Sequence, residues 1–200
     1  MKVRNKRIVM LFTALLSLYL MGEFINHFIF GFPIWLFVTI PLFLIPFVGA
    51  IGILIFIVVE IVKNRKLKGN LFPVVLSVLL IIIMSTQPFS PILRKAEFSY
   101  KFEHREEIAK LVLNGELEAV NVREDLFSIP NRFKSSSLSD GKEVMKMKGR
   151  LFFFTSRGVL DNFSGYVYSP NGGEPRDEDV NAKIVKKQRM NKNWYYISCT

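Results

Sequence analysis

Residues Trp35 to Val59 read WLFVTIPLFLIPFVGAIGILIFIVV, with no charged side chain anywhere in the run. A helix that crosses the ~30 Å hydrocarbon core of a bilayer takes roughly 20 mostly apolar residues. This stretch alone therefore reads as membrane-spanning. Its apolar character extends outward from Phe32 to Val62, which is about 45 Å as a straight helix at 1.5 Å per residue. That is more than one crossing needs, and the run holds no polar turn for a second. One span over about 33–62 is expected, tilted or kinked at Pro41 and Pro46. Phe28, Phe30, Phe32 and Trp35 suit the headgroup level at its start. Gly49-Ala50-Ile51-Gly52 offers a place where another helix can come close.

Two further apolar stretches flank this one. Ile8 to Ile25 follows a basic start of Lys2, Arg4, Lys6 and Arg7. A cleaved secretory signal needs a small-residue cleavage site after its apolar run, and Leu18-Tyr19-Leu20-Met21-Gly22-Glu23 lacks one. A lipoprotein signal needs a Cys there, and the sole Cys is Cys199. An uncleaved anchor is expected. The third stretch, Leu71 to Phe89, is apolar through Met84 and finishes on Ser85, Thr86 and Gln87. No ionisable residue sits deep in these runs: Glu60 lies one turn from Lys63, and Glu23 and His27 are expected near the outer surface of the membrane.

Sidedness follows from Lys and Arg in short loops, which favour the cytoplasm. Four cations precede the first span, and Lys63, Arg65, Lys66 and Lys68 follow the second, whereas the loop between them has none. The tail and second loop are thus expected inside, and residues after the third span outside. The same eight cations explain much of the net charge of +10, so the basic balance marks topology rather than nucleic-acid binding. The inner segments are too short for a cytoplasmic enzymatic output.

Beyond residue 92 the composition becomes that of an ordinary water-exposed domain. A helix is expected from Glu97 or Ser99 to Leu113, with Phe98, Phe102, Ile108, Ala109 and Val112 on one face. Glu103, Glu106 and Glu107 suit its early turns. Asn114-Gly115 stops it, and Pro88 and Pro91 separate it from the third span. The period then becomes strand-like. Candidate strands are Leu117–Val122, Leu126–Ile129, Val144–Met147, Leu151–Ser156, Gly165–Ser169, Lys183–Gln188 and Trp194–Cys199, separated by turn residues. Leu151-Phe152-Phe153-Phe154 is apolar on both faces, as a central strand would be. Ser135–Ser139 and Pro170–Asp179 read as exposed loops. The fold class is a membrane α-helical region of three transmembrane helices (1–92, spans about 8–25, 33–62 and 71–89), plus a C-terminal α+β domain (93–200). One helix packs on an antiparallel sheet.

The second half carries few groups for chemistry. It has one His and one Cys, which gives no thiolate cluster, no intrachain disulfide and no converging metal ligands. Asp177-Glu178-Asp179 lacks the spacing of a calcium loop. There is no Gly-x-Ser-x-Gly elbow, and Asn171-Gly172-Gly173 leads into an acid, the wrong sign for phosphate. An outer-surface hydrolase would need paired carboxylates or His104 in a cleft. No catalysis, no metal and no cofactor are expected.

Polar groups crowd one short connection, where Arg157, Asp161, Asn162 and Ser164 either bond the turn backbone or form a small recognition loop. A second set, Lys183, Lys186, Lys187, Arg189 and Lys192, is basic and falls in the last hairpin. Beside a membrane it reads as a solvated surface or as a site for anionic lipid or wall polymer. The candidate binding residues are Arg157, Asp161, Asn162, Ser164, Lys186, Lys187 and Arg189.

The segment from Phe153 to Pro170, FFTSRGVLDNFSGYVYSP, resembles a phrase of uncharacterised membrane-anchored proteins of low-GC Gram-positive bacteria. The resemblance implies a bacterial plasma membrane and no particular activity. The expected function is a multi-pass membrane protein presenting an extracytoplasmic interaction domain. Its partners would be membrane lipid, a membrane or cell-surface protein, or an anionic wall polymer, and not nucleic acid. The alternative is an accessory subunit of a membrane transporter or other membrane complex.

Overall fold

The computed structural model describes residues 2–28, 35–64, 71–121, 125–133, 138–157 and 162–200. The chain forms two compact units, Met1–Asn26 with Phe32–Leu93, and His27–Gly31 with Arg94–Thr200.

The first unit is helical. Helix α1 spans Lys2–Phe28. A π-helical turn, Trp35–Thr39, leads into α2, Ile40–Asn64, and α3 follows over Leu71–Thr86. Pro41 falls directly after the π-helical turn and, like any proline, donates no main-chain hydrogen bond to it. Pro46 lies inside the helix and cannot donate to the Leu42 carbonyl. At that turn α1 comes close: a Cβ on Gly22 would lie 3.0 Å from Leu42 Cβ. Gly49 likewise faces Leu15, whereas Gly52 faces nothing within 4 Å. Of the Gly49–Gly52 motif, its first residue therefore serves packing within this unit. Phe12, Leu15, Tyr19, Ala50, Leu80 and Met84 form the interior.

Most of the apolar surface of these helices is uncovered. Phe37 and Val62 are each 74% exposed and Phe56 is 69% exposed. Water is a poor solvent for such a surface. Ile8–Phe28 and Phe37–Lys63 are long and apolar enough to cross a membrane. Glu23 is buried within this unit, and the Tyr19 hydroxyl donates to its Oε1 at 3.2 Å. The i, i+4 spacing puts both on the packed face of α1.

A short turn through Gln87, Pro88 and Phe89 closes α3, with Gln87 in the left-handed region at φ 47°. Helix α4 then runs over Ser90–Leu113. It begins earlier than the sequence led us to expect. Pro91 sits in its first turn and so starts the helix instead of breaking it. Consequently Glu103, Glu106 and Glu107 are mid-helix, beyond the first turn where the helix dipole favours an acid.

The second unit holds a six-stranded antiparallel sheet. Its strands are β1 (Leu126–Ser128), β2 (Glu143–Met147), β3 (Arg150–Arg157), β4 (Phe163–Tyr168), β5 (Ile184–Arg189) and β6 (Trp194–Cys199), in the order β1-β2-β3-β4-β6-β5. Leu117–Val122 is not a strand among its described residues; Ala119 makes only an isolated bridge to Phe127. Helix α5, Asp177–Val180, lies in the β4–β5 connection. Ser135–Ser139 and Pro170–Asp179 are not simple exposed loops. Leu138, Ser139 and Pro175 are buried, Asp177 begins α5, and 134–137 lie outside the described residues.

Both faces of this sheet are buried. On one, Phe98, Ile108, Ala109 and Val112 of α4 meet Val144, Leu151, Phe153, Tyr166 and Trp194. On the other, Phe152, Phe154, Val167, Ile197 and Cys199 meet Val180 of α5. β3 supplies both cores, as its run of three Phe requires. Arg150 pins the covering connection, donating to the Gly173 carbonyl at 2.6 Å and pairing with Asp179 at 3.1 Å.

Candidate functional site

Arg157 ends β3 and is engaged on three sides. Its guanidinium pairs with Glu143 at 2.7 Å and lies 4.3 Å from the Phe154 ring centroid. Its backbone N–H donates to Asp140 Oδ2 at 3.1 Å. Gly141 completes the arrangement at φ 76°, where a Cβ would approach the guanidinium to 3.0 Å. Ser164 Oγ lies 3.0 Å from Thr155 Oγ1, and Asn162 is exposed just before β4. Asp161 lies outside the described residues. Arg157 thus ties the β3–β4 hairpin to the turn before β2 and to Glu143 at its start, whereas Ser164 bonds within the hairpin.

Register decides how the basic residues of β5 are shared between faces. Ser156, Ser164, Ser198 and Lys186 form one row across β3, β4, β6 and β5. Lys186 is thus on the α4 face, in the same row as Ser164. Lys187 and Arg189 pair with Ile197 and Tyr195 and share the other face. Lys187 pairs with Glu174 at 3.2 Å. Arg189 donates to the Asn191 carbonyl at 3.1 Å and lies 5.9 Å from the Tyr195 ring centroid. The six described candidates therefore make two groups: a hairpin end, and a basic edge strand divided between both faces. β5 is the last strand of the sheet, and Lys183, Val185, Lys186, Lys187 and Arg189 are exposed along it.

A third cluster escaped the reading of the sequence. Glu97, Lys101 and Arg105 follow one another at i, i+4 and i+8 on α4, and each is at most 5% exposed. The spacing continues the apolar stripe of Ile108 and Val112 toward the helix start. Arg105 donates to Glu97 Oε1 at 2.6 Å and to Oε2 at 3.2 Å, and also to the Leu138 carbonyl at 3.3 Å. Lys101 Nζ lies 2.9 Å from Oε1. The Tyr166 hydroxyl donates to Oε2 at 2.6 Å. Nearby, Arg94 stacks 3.9 Å from the Tyr196 ring centroid and donates to Gln188 Oε1 at 3.1 Å.

Burial pushes the Glu97 carboxyl up, but the Arg105 and Lys101 charges and the Tyr166 hydroxyl outweigh it and hold it below the ordinary range. Burial lowers the Lys101 ammonium despite Glu97 beside it. Tyr166 is raised, first by burial and then by the Glu97 charge, so its phenol stays protonated. Both oxygens of the Glu97 carboxylate are thus engaged by Arg105, Lys101 and Tyr166. The cluster locks α4 onto the sheet. His104 is exposed on the same helix, with its ring edge-on to Phe133 at 6.0 Å. Among the described residues no three His, Cys, Asp or Glu side chains are grouped to hold a metal.

No protein-family model, no curated protein and no solved structure matches the chain.

Proposed function

We propose that this is a three-span protein of a bacterial plasma membrane, with its N-terminus inside and residues 93–200 outside, where they bind an anionic partner without catalysis. The observation that carries the binding part is the basic edge strand β5, with Lys183, Lys186, Lys187 and Arg189 exposed in one short run. Clustered cations at a surface attract anions over about a Debye length, ~8 Å at physiological salt. The third span is α3: its 16 residues are about 24 Å long at 1.5 Å per residue, and Gln87 to Phe89 bring it to an interface. Leu71, Val75 and Ile82 are each more than half exposed, as lipid-facing side chains would be. Sidedness follows from the Lys and Arg of the tail and second loop.

Cys199 makes a direct test clean. It is buried, and burial first, then Asp177, pushes its thiol up to about 11, so it is a poor target for maleimide in the folded chain. A Lys110→Cys variant places a thiol on the exposed side of α4. Treatment of intact cells with a membrane-impermeant maleimide should label this variant and leave the parent chain unlabelled. Labelling only after permeabilisation would put the domain inside and overturn the proposal.

A further inference from the structure

The β5 edge has a property beyond its charge. In an antiparallel ladder, residues alternate between pairs that exchange main-chain hydrogen bonds and pairs whose N–H and C=O point away from the neighbour. Lys183 and Thr200 exchange both bonds, at 3.2 and 3.0 Å, and at the other end Met190 N–H donates to the Trp194 carbonyl at 2.9 Å. Counting inward from either end, across the irregularity between Ile184 and Lys186, gives one answer. Lys186 and Gln188 bond to β6, whereas the main-chain groups of Lys187 and Arg189 face outward. No described strand lies beyond them. The opposite edge differs: β1 has three residues, and the bridge from Ala119 to Phe127 covers it.

The geometry points to strand addition: β5 accepts an extended acidic segment of a partner protein as a seventh strand. Lys187 and Arg189 supply the main-chain groups and, on the same face, the cations. A partner residue directly opposite either one exchanges hydrogen bonds with it and projects its side chain to that face. Carboxylates at alternate positions of the partner would therefore meet Lys187 and Arg189 in turn. The same charges argue against a second copy of this chain, because β5 beside β5 would set Lys and Arg against Lys and Arg. Main-chain bonds would supply affinity and the alternating carboxylates specificity, as in other edge-strand recognition. This inference rests on the proposed anionic partner and specifies its kind.

The test uses the full chain in nanodiscs of zwitterionic lipid. The probe is the fluorophore-labelled peptide Val-Glu-Val-Glu-Val-Glu-Val, read by fluorescence anisotropy. One derivative is N-methylated at its Glu amides, which face β5 when the carboxylates meet the cations. A second is N-methylated at its Val amides, which face away. Polyphosphate serves as an anion without a peptide backbone. The expected result is that the parent and Val-methylated peptides bind and that Glu-methylation weakens binding about tenfold or more. A Lys187→Glu, Arg189→Glu variant, with its fold checked by near-ultraviolet circular dichroism, should lose a similar factor. If both methylated peptides bind as well as the parent, or if polyphosphate alone binds, strand addition is overturned while the anionic-partner reading stands. If no probe binds, both are overturned.

Discussion

The two faces of the six-stranded sheet are buried by different chemistry. On the α5 side the interior is apolar: Phe152 and Phe154 lie 4.6 Å apart by ring centroids, and Phe163 stands edge-on to Phe152 at 5.3 Å. On the α4 side an aromatic group around Trp194 gives way to buried charge, where Arg105, Lys101 and Tyr166 all address one carboxylate. An apolar face is held by area removed from water and tolerates small changes of fit. A buried carboxylate is tolerated only while its partners are in place. The α4 face is therefore the more exacting of the two, and each substitution below sets one face against the other.

The largest effect is expected where the faces cannot be separated. At Gly165 a Cβ would fall 2.1 Å from the Phe153 carbonyl oxygen and 2.7 Å from Phe152 Cε1. Gly165→Ala should abolish the folded sheet, seen as loss of a cooperative urea transition for the full chain in detergent. Next come two substitutions of similar size and different cause. Arg105→Ala removes the main partner of buried Glu97 and should cost about 3–5 kcal/mol. Phe152→Ala leaves a cavity and should also cost about 3–5 kcal/mol. Substitution of Glu97, Lys101 and Arg105 together by apolar residues of similar volume separates the two causes, because it should restore most of what Arg105→Ala loses. Equal losses for the single and triple variants would mean that the faces do not differ in kind.

Acid gives a second contrast. Glu97 is held below its ordinary value of 4.5 in the folded chain. The unfolded state therefore binds more protons near that pH, so stability rises with pH through the window. Its contribution is complete above about pH 5 and fades as pH falls through the lowered value. Phe152→Ala should keep the wild-type slope of stability against pH. Glu97→Gln should flatten it, whatever it does to stability at neutral pH. An unchanged slope in the glutamine variant would remove Glu97 from the acid response.

The same contrast explains what could be read from the sequence. Apolar runs and alternation made the helical region, α4 and six strands legible, and the double-faced run Leu151–Phe154 marked the central strand correctly. The covering of the second face was not legible. Pro170–Asp179 read as an exposed loop, and long-range ties that no local pattern encodes, from Arg150 to Gly173 and Asp179 and from the Tyr195 hydroxyl to the Gly172 carbonyl, hold that connection against the sheet. The buried cluster was missed because Glu97, Lys101 and Arg105 look like a solvated helix face when counted by type. Their i, i+4, i+8 spacing in line with Ile108 and Val112 was the available signal. The tie of Glu23 to Tyr19, one turn away, likewise depends on which face of α1 is packed. The basic residues of the last hairpin were found as one group, but their division between faces depends on the β5–β6 register, which no local pattern encodes.

The smallest effect belongs to the hairpin end, where sequence reading placed a recognition loop or a turn cap. Arg157 and Glu143 are partly exposed, at 40% and 27%, and such pairs contribute about 0.2–1 kcal/mol. Arg157→Ala removes that pair and the stack on Phe154 while keeping the backbone bond to Asp140. A cap predicts a loss of about 1 kcal/mol or less and no change in binding of the acidic peptide, because Arg157 stands at the far end of a row from β3 across to β5. Arg157→Lys keeps the charge but cannot form the planar stack or the fork toward Glu143, so it should recover only part of the stability. A peptide affinity that falls with Arg157→Ala and returns with Arg157→Lys would join the hairpin end to the basic edge as one charged surface and sink its assignment as a cap.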